Sequence, residues 1–278
     1  MNEIRDLIIG IDIGKEYTQI CYYDRKAEEA RSLSMKVGTS QYEAPGCICY
    51  RTEQNDYCVG LEAQYFSREK GGIMLGNIYD ICQKEESIQV AGEDKEPAEL
   101  LAHFLKGMLK FLGIQDIVKN TKCMCITSPE LDAIQVRNYQ KACGIAGFPA
   151  EKYMLMDYGE SFYYYALGQK RETWNRSVAW YAFDGDKIAF RKLTINAASR
   201  PILVNLEEPV STTLEMEDEI RDVEFCRFIT KTLGKELFSS VQITGEGFDQ
   251  QWAQQSVKLL CHQGRKVFYG NNLFAKGA

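Results

Sequence analysis

The sequence predicts an α/β protein of two lobes, and three observations support that expectation. Residues 7–14, Leu-Ile-Ile-Gly-Ile-Asp-Ile-Gly, form an apolar strand that reaches a glycine, and residues 18–23 form a second alternating run, the pattern of a β-hairpin. Apolar residues recur at helical spacing over residues 97–112. The pattern of strands and helices starts again after a polar stretch at residues 169–176, and 278 residues are enough to bury a substantial core in more than one lobe.

The remaining elements of the first lobe follow from apolar runs and their stop signals. Gly113 ends the first long helix, Ser128-Pro129 ends a buried strand, and Gly147 ends the second long helix. The expected strands cover residues 31–37, 46–50, 57–59, 122–127 and 154–156, and the expected helices cover residues 97–112, 131–145 and 160–167.

The second lobe is expected to open with its own hairpin, around the turn Asp184-Gly185-Asp186. An acidic segment at residues 215–224 leads into a helix that ends near Leu233. The expected strands cover residues 177–183, 187–193 and 241–244, with a glycine turn at 245–247 and a last helix at 249–262. Because both halves share this layout, the sequence suggests an internal duplication with lobes at residues 1–160 and 161–278.

Composition excludes several classes of protein. The chain is 45% hydrophobic and 26% charged with a net charge of −6, and no run of lysine or arginine makes a basic stripe, so a nucleic-acid partner is not expected. The start Met-Asn-Glu-Ile-Arg-Asp lacks the pattern of a signal peptide, and no apolar run approaches the roughly 20 residues that span a membrane. The sequence therefore predicts a cytoplasmic protein without a membrane partner.

The ten cysteines are expected to be thiols in such a compartment, most of them buried as small apolar side chains. Two Cys-x-Cys pairs, Cys47/Cys49 and Cys123/Cys125, place both sulfurs of a pair on one face of a strand. A Zn²⁺ site shared between the pairs, supplemented by His103 or His262, is the alternative, but the spacing typical of zinc knuckles is absent.

The end of the first strand carries the earliest functional signal. Gly14 lets backbone N–H groups approach an anion, and the Asp12 carboxylate can hold Mg²⁺ or its waters. A strand that ends in Asp-x-Gly is also commonly a plain tight turn, so both interpretations stay open at this point.

Several segments, in the same order along the chain, together resemble the actin-like ATPase superfamily, in particular the nucleotide-binding domain of the seventy-kilodalton heat-shock chaperones. The matching segments are the first phosphate motif at 9–14, Val-Gly-Leu-Glu-Ala at 59–63, the strand-Pro-helix segment at 126–148, the interlobe helix at 160–168, the adenosine motif at 241–248 and Asn-Leu-Phe-Ala-Lys-Gly-Ala at 272–278.

The resemblance implies two ribonuclease-H-like lobes, the actin-like ATPase fold, around an interlobe cleft that binds ATP or ADP with Mg²⁺. It places Asp12 at the metal. Lys15 stands where the chaperones have a hydroxyl residue; it meets a phosphate as a point charge or is a solvated turn residue. The nucleotide-binding residues carried over are Asp12, Gly14, Lys15, Gly185, Gly245, Glu246 and Gly247.

The catalytic part of the family pattern is degraded. Ala182 stands at the position of an aspartate, two carboxylates flank Gly185, and residues 77–82 lack the chaperones' catalytic lysine, although Lys84 lies nearby. Because phosphoryl transfer depends on positioning and charge stabilisation, no catalytic residue is assigned and weak or absent hydrolysis is expected.

Three functions remain compatible with the sequence. The first is a chaperone-like, nucleotide-binding domain, and the second is a non-enzymatic actin-like scaffold for protein interaction that has lost nucleotide binding. The third is a small-molecule kinase with Asp157 as catalytic aspartate, although helix capping near Gly159 explains Asp157 equally well. Besides a nucleotide, the expected partners are another protein or a further C-terminal domain after Ala278.

Overall fold

The computed structural model describes residues 6–36 and 38–278 of a mixed α/β protein. The chain divides into two compact units. Unit 1 comprises residues up to Ser161 together with Phe274–Ala278, and unit 2 comprises Phe162–Leu273.

Unit 1 contains most of the secondary structure. Its strands are β1 (Leu7–Ile13), β2 (Tyr17–Asp24), β3 (Glu29–Ser32), β4 (Glu43–Pro45), β5 (Cys47–Arg51), β6 (Asp56–Val59), β7 (Ile73–Asn77), β8 (Ile88–Val90), β9 (Glu93–Lys95), β10 (Thr121–Ser128) and β11 (Tyr153–Asp157). Its helices are α1 (Gly60–Glu69), α2 (Ile78–Cys82), α3 (Pro97–Leu109), α4 (Ile117–Asn120), α5 (Ala133–Ala146) and the first turn of α6 (Tyr158–Gly168).

The main sheet of unit 1 has the strand order β11-β10-β1-β2-β3, with β4 also paired to β2. The first three strands in chain order are antiparallel, and β1, β10 and β11 are parallel. Ile9, Ile11 and Ile13 of β1 are fully buried in one cluster with the leucines of α3. The alternation of β1 therefore sends its isoleucines into this core and leaves Gly10 and Asp12 on the opposite face of the sheet.

The two long helices of unit 1 begin and end as the sequence predicts. Capping boxes start α3 (Glu96 with Glu99) and α5 (Asp132 with Gln135), and Gly147 ends α5 at φ 93°. The α-helical part of residues 97–112 ends at Leu109, because the last three residues tighten into a 3₁₀ turn before Gly113.

Unit 2 is built on a second sheet. Its elements are β12 (Ser177–Asp184), β13 (Lys187–Asn196), β14 (Leu203–Leu206), β15 (Val210–Thr213), α7 (Asp218–Leu233), β16 (Phe238–Glu246), α8 (Gln254–Leu260) and β17 (Lys266–Tyr269). The strand order is β14-β13-β12-β16-β17, with β15 also paired to β13.

The two sheets repeat one arrangement. In each, an antiparallel hairpin opens the unit, a third strand continues it on one side, and two later strands add in parallel on the other side. The two sheets therefore share strand order and direction. An aromatic core that includes Tyr181, Phe183 and Phe225 fills unit 2.

The end of the chain departs from the expected boundary at residues 161–278. Helix α9 (Leu273–Gly277) carries Phe274–Ala278 into unit 1, where Phe274 and Ala275 are buried. A Cβ atom on Gly10 would overlap the carbonyl oxygen of Ala275, so β1 and α9 approach closely only because residue 10 is glycine.

Three local predictions differ from the structure. The strand expected at 31–37 is β3, which ends at Ser32, and Val37 lies outside the described residues. Gly245 and Glu246 belong to β16 rather than to a turn. Helix α8 begins at Gln254 instead of 249, because Asp249 accepts a hydrogen bond from the Gln251 N–H in a turn.

The acidic segment is partly helical, since α7 already begins at Asp218 and carboxylates are favourable in the first turn of a helix. Among the residues that the structure describes, no helix combines the length and the apolar character needed to cross a membrane.

Candidate functional site

The first hairpin brings Asp12, Gly14 and Lys15 together at the turn between β1 and β2. Gly14 is buried, and its N–H donates to the carbonyl oxygen of Tyr17 at 3.0 Å. Lys15 is exposed, and its carbonyl oxygen accepts a hydrogen bond from the Asn77 side chain. The turn is therefore held by hydrogen bonds within unit 1.

Asp12 is buried and is bonded to a side chain that the sequence did not single out. The Tyr158 hydroxyl donates to Asp12 Oδ1 at 2.7 Å, and only 3% of Asp12 is exposed. Burial raises the pKa of Asp12 to about 8, although the Tyr158 hydrogen bond opposes this and the Glu43 carboxylate adds to it. Asp12 is thus largely protonated at neutral pH.

Tyr158 also covers the glycine of the turn. A Cβ atom on Gly14 would lie 2.9 Å from the Tyr158 hydroxyl and 3.0 Å from the carbonyl oxygen of Tyr17. On its other side, the Tyr158 ring stacks on Phe274, with centroids 3.6 Å apart and an interplanar angle of 6°. Gly14 is required here by a tyrosine hydroxyl, and helix α9 fixes the position of that tyrosine.

Gln19 lies directly opposite Asp12 in the β1–β2 register. Its Nε2 donates to Glu43 Oε1 at 3.0 Å, whereas its Oε1 is buried and has no hydrogen-bond partner among the described residues. A protonated Asp12 carboxyl is a donor on the same face of the hairpin. The proton of neutral Asp12 is therefore a suitable donor for the unbonded Gln19 Oε1.

The second hairpin has the tight turn expected for Asp184-Gly185-Asp186. Asp184 pairs with Lys187, and Gly185 adopts φ 64°, which glycine allows without strain. Both backbone groups of Gly185 are engaged: its N–H donates to the carbonyl oxygen of Glu246 at 3.0 Å, and its carbonyl oxygen accepts from Arg221 Nη2 at 2.7 Å. The hairpin expected at this turn is confirmed.

Arg221 of α7 ties this turn to the end of β16. Its guanidinium lies 4.5 Å from the Trp252 ring centroid, and the Trp252 indole N–H donates to the carbonyl oxygen of Gly247 at 3.2 Å. A Cβ atom on Gly247 would overlap the carbonyl oxygen of Gly185. Arg221 is buried, and its Nε has no hydrogen-bond partner among the residues that the structure describes.

Residues of the expected adenosine motif meet the second hairpin in unit 2. Gly185, Gly245, Glu246 and Gly247 come together, with the Glu246 side chain exposed. The Gly245 N–H donates to Asn271 Oδ1 at 2.6 Å, and a Cβ atom on Gly245 would overlap the carbonyl oxygen of Phe183. The glycines at 245 and 247 are thus required by neighbouring backbone.

The candidate kinase residue has a structural role. Asp157 Oδ1 accepts the N–H of Glu160 at 2.8 Å in the first turn of α6, which is the capping contact expected as the alternative.

All ten cysteines are free thiols, and within the described ranges no group of three or more histidine, cysteine, aspartate or glutamate side chains is arranged to hold a metal ion. Cys49 and Cys125 are buried, and their Cys-x-Cys neighbours Cys47 and Cys123 are partly buried. Burial raises the pKa of Cys125 to about 12. This supports buried strand cysteines rather than a shared zinc site.

Comparison with known proteins gives one family. A family model described as "Family of unknown function (DUF5716) C-terminal" matches residues 29–278. The chain belongs to this DUF5716 C-terminal family. Within the match lie Tyr158, Arg221 and the Gly245–Gly247 segment, whereas Asp12, Gly14 and Lys15 precede it. No curated protein matches this DUF5716 C-terminal domain.

Proposed function

We propose that this DUF5716 C-terminal domain is an actin-like fold of two ribonuclease-H-like lobes that acts as a scaffold for protein interaction and does not hydrolyse nucleotides. The repeated strand order supports the fold: each unit has an antiparallel three-stranded half and a parallel extension from its first strand. The loss of hydrolysis is supported by two observations: Asp12 of the first hairpin is bonded to Tyr158, and the backbone N–H groups near the second hairpin are already bonded.

The hydrogen bond between Tyr158 and Asp12 is the observation that carries the proposal. A carboxylate that holds Mg²⁺ or its waters must be ionised and reachable. Asp12 is 3% exposed, accepts the Tyr158 hydroxyl at 2.7 Å and has a pKa of about 8. A carboxyl that is covered and bonded to Tyr158 favours a structural role over metal binding.

The backbone donors of unit 2 support the same conclusion. Phosphates are held by free backbone N–H groups in a glycine turn. In unit 2 the N–H of Gly185 donates to Glu246, and that of Gly245 donates to Asn271. A nucleotide would have to replace these bonds.

Thermal unfolding with ATP or ADP, each with and without Mg²⁺, tests the proposal. A ligand at 100 times its dissociation constant adds about 2.7 kcal/mol of stability, so binding gives a clear rise in Tm. We expect no rise at millimolar nucleotide and no phosphate release. A Mg²⁺-dependent rise that Asp12→Ala abolishes would refute the scaffold proposal.

A nucleotide-binding domain with weak or absent hydrolysis is the second candidate. It is favoured by Lys15, which is exposed at the tip of the first hairpin as a cation for a phosphate. A nucleotide-dependent rise in Tm that Lys15→Ala removes, without phosphate release, would support this candidate instead.

A further inference from the structure

Two thiols stand opposite each other on the hairpin of β5 and β6. Cys49 of β5 and Cys58 of β6 are direct partners in the antiparallel register. Direct partners in an antiparallel pair have Cα atoms about 4.5 or 5.5 Å apart, according to whether they exchange backbone hydrogen bonds. Both values fall in the range of about 4.4–6.8 Å that a disulfide spans. The backbone therefore already holds these two cysteines at the spacing of a disulfide.

The side chains of this pair are in contact. The Cys58 thiol donates to the carbonyl oxygen of Cys49 at 3.6 Å. Burial raises the pKa of Cys49, and a hydrogen bond with the Cys58 thiol opposes this increase. Both side chains are buried in one small cluster with Ala63 of α1, and Phe66 packs against it. The two sulfurs are therefore neighbours within one packed group of side chains.

The other strand cysteines of the described residues lack a cysteine partner. Cys125 is buried and has a pKa of about 12, as Cys58 does, but it stands opposite Gly10 and Met154. Three more strand cysteines also stand opposite other residue types: Cys21, Cys47 and Cys123. Cys125 thus provides a control within the chain for the effect of burial without a neighbouring thiol.

A surface pocket reaches this pair. The pocket has a volume of about 260 Å³, and its lining includes Phe66 and Gly72. Phe66 packs against the cysteine cluster, and a Cβ atom on Gly72 would lie 2.6 Å from Cys49 Sγ. The wall of the pocket therefore includes a residue without a side chain that lies against the Cys49 sulfur. A small, neutral oxidant is the class of reagent that suits this approach.

We propose that Cys49 and Cys58 form a reversible disulfide across the β5–β6 hairpin, with hydrogen peroxide as the oxidant. One thiol loses its proton and attacks a peroxide oxygen; the O–O bond breaks, giving a sulfenic acid and one water. The second sulfur attacks the sulfenic sulfur, so the S–S bond forms, the S–O bond breaks and a second water leaves. Two molecules of glutathione reverse the step by thiol–disulfide exchange and become glutathione disulfide.

The disulfide would fix one rim of the pocket. It closes a loop over residues 49–58, and Thr52, Glu53 and Gln54 of this loop line the pocket. A cross-link lowers the conformational freedom of the chain that it encloses. Because burial disfavours the thiolate, which is the reactive form, we expect the bond to form slowly. The pair then responds to sustained rather than brief exposure to peroxide.

Peroxide treatment of the folded Cys261→Ser variant tests the proposal, since this change removes the exposed thiol that could link two molecules. Trypsin cleaves after Arg51 and so separates Cys49 from Cys58. After prolonged treatment we expect mass spectrometry to show the peptides 37–51 and 52–68 joined. The joined species should be two hydrogen atoms lighter than the sum of the free peptides, and reduction should separate them again.

The variants Cys47→Ser and Cys49→Ser, each combined with Cys261→Ser, show which thiol of the first peptide is bonded. We expect the link to persist in Cys47→Ser and to be lost in Cys49→Ser, while Cys125 remains a thiol throughout. Circular dichroism under reducing conditions checks that each variant folds, and Cys49→Ala replaces Cys49→Ser if serine prevents folding. Separate peptides after prolonged treatment, a link that survives in Cys49→Ser, or a link found only in a covalent dimer would overturn the proposal.

Discussion

Asp12 keeps a proton at neutral pH that an unfolded aspartate releases. Its pKa is about 8 in the folded chain, against an ordinary aspartate value of 3.8. The folded state therefore binds more protons between these two values, and the free energy of unfolding falls as pH rises, by up to about 1.4 kcal/mol per pH unit. This contribution is complete below about pH 4 and lost above about pH 8.

Asp12→Asn should remove this dependence, because asparagine is neutral at every pH and its oxygen can still accept from Tyr158. Urea unfolding of both proteins at several pH values measures the difference. From pH 5 to pH 8, we expect the free energy of unfolding of the wild type to fall steadily relative to that of the variant. Parallel pH profiles would mean that Asp12 is ionised in the folded protein.

Tyr158→Phe tests the hydroxyl while keeping the ring that stacks on Phe274. The variant should lose about 1–2 kcal/mol of stability, because a buried oxygen of Asp12 loses its donor. Tyr164→Phe on the same helix is the control, since Tyr164 is 48% exposed. Equal stabilities of the two variants in urea unfolding would show that the hydrogen bond to Asp12 contributes little.

At this scale the sequence singles out Asp12 and Gly14 but not their partner. The bond between Asp12 and Tyr158 joins residues 146 positions apart, and no local pattern marks it. Arg221 likewise reads as one charge in an acidic segment, and only the tertiary fold shows that it is buried against Trp252.

At the scale of elements, the substitution Gly10→Ala tests the close contact between β1 and α9. Gly10→Ala should cost about 1–3 kcal/mol, because its Cβ overlaps the carbonyl oxygen of Ala275 and α9 must shift. Hydrogen exchange should show faster exchange in α9. Gly144→Ala, at an exposed position of α5, is the control; no atom lies within 4 Å of its Cβ, so about 0.4–1 kcal/mol of stabilisation is expected. An unshifted α9 in Gly10→Ala would contradict the close approach.

Elements with local start and stop signals are predictable from sequence. Helix α5 has both, a capping box at Asp132 and a left-handed Gly147, and its predicted bounds differ by two residues or fewer. Helix α8 has neither a side-chain cap nor a glycine stop, and Trp252 just before it packs into the core of unit 2. Helix α8 starts only after the Asp249 turn and the buried Trp252, and no local cap marks that start.

At the scale of the whole molecule, thiol reactivity reports the fold. The thiolate is the reactive form, so buried thiols of raised pKa react slowly. Burial raises the pKa of Cys58 and Cys143 to about 12, whereas Cys261 is exposed. In a short iodoacetamide pulse read by mass spectrometry, Cys261 should react at least about ten times faster than the buried thiols.

Unfolding in denaturant should make all ten cysteines react alike. A chelator should leave the native pattern unchanged. Protection of Cys47 and Cys123 that a chelator removes would instead support the zinc site.

The repeated layout of the two halves is visible in the sequence because each half opens with a hairpin and continues with strands and helices of its own. The order of strands within each sheet is not visible in the sequence, because β1 pairs with β10 across more than a hundred residues. The return of α9 to unit 1 depends on Gly10 and Gly277. Both lie in segments that the sequence analysis singles out, but no local pattern shows that they allow α9 to pack in unit 1.

That return determines the order in which a ribosome can complete the two units. Unit 2 is one continuous stretch, Phe162–Leu273, whereas unit 1 needs Phe274–Ala278, which are synthesised after all of unit 2. The first unit to begin emerging is thus the last to be finished. Until then Tyr158 lacks the ring of Phe274, and the face of β1 at Gly10 stays uncovered while the residues that pack on it are still to be translated.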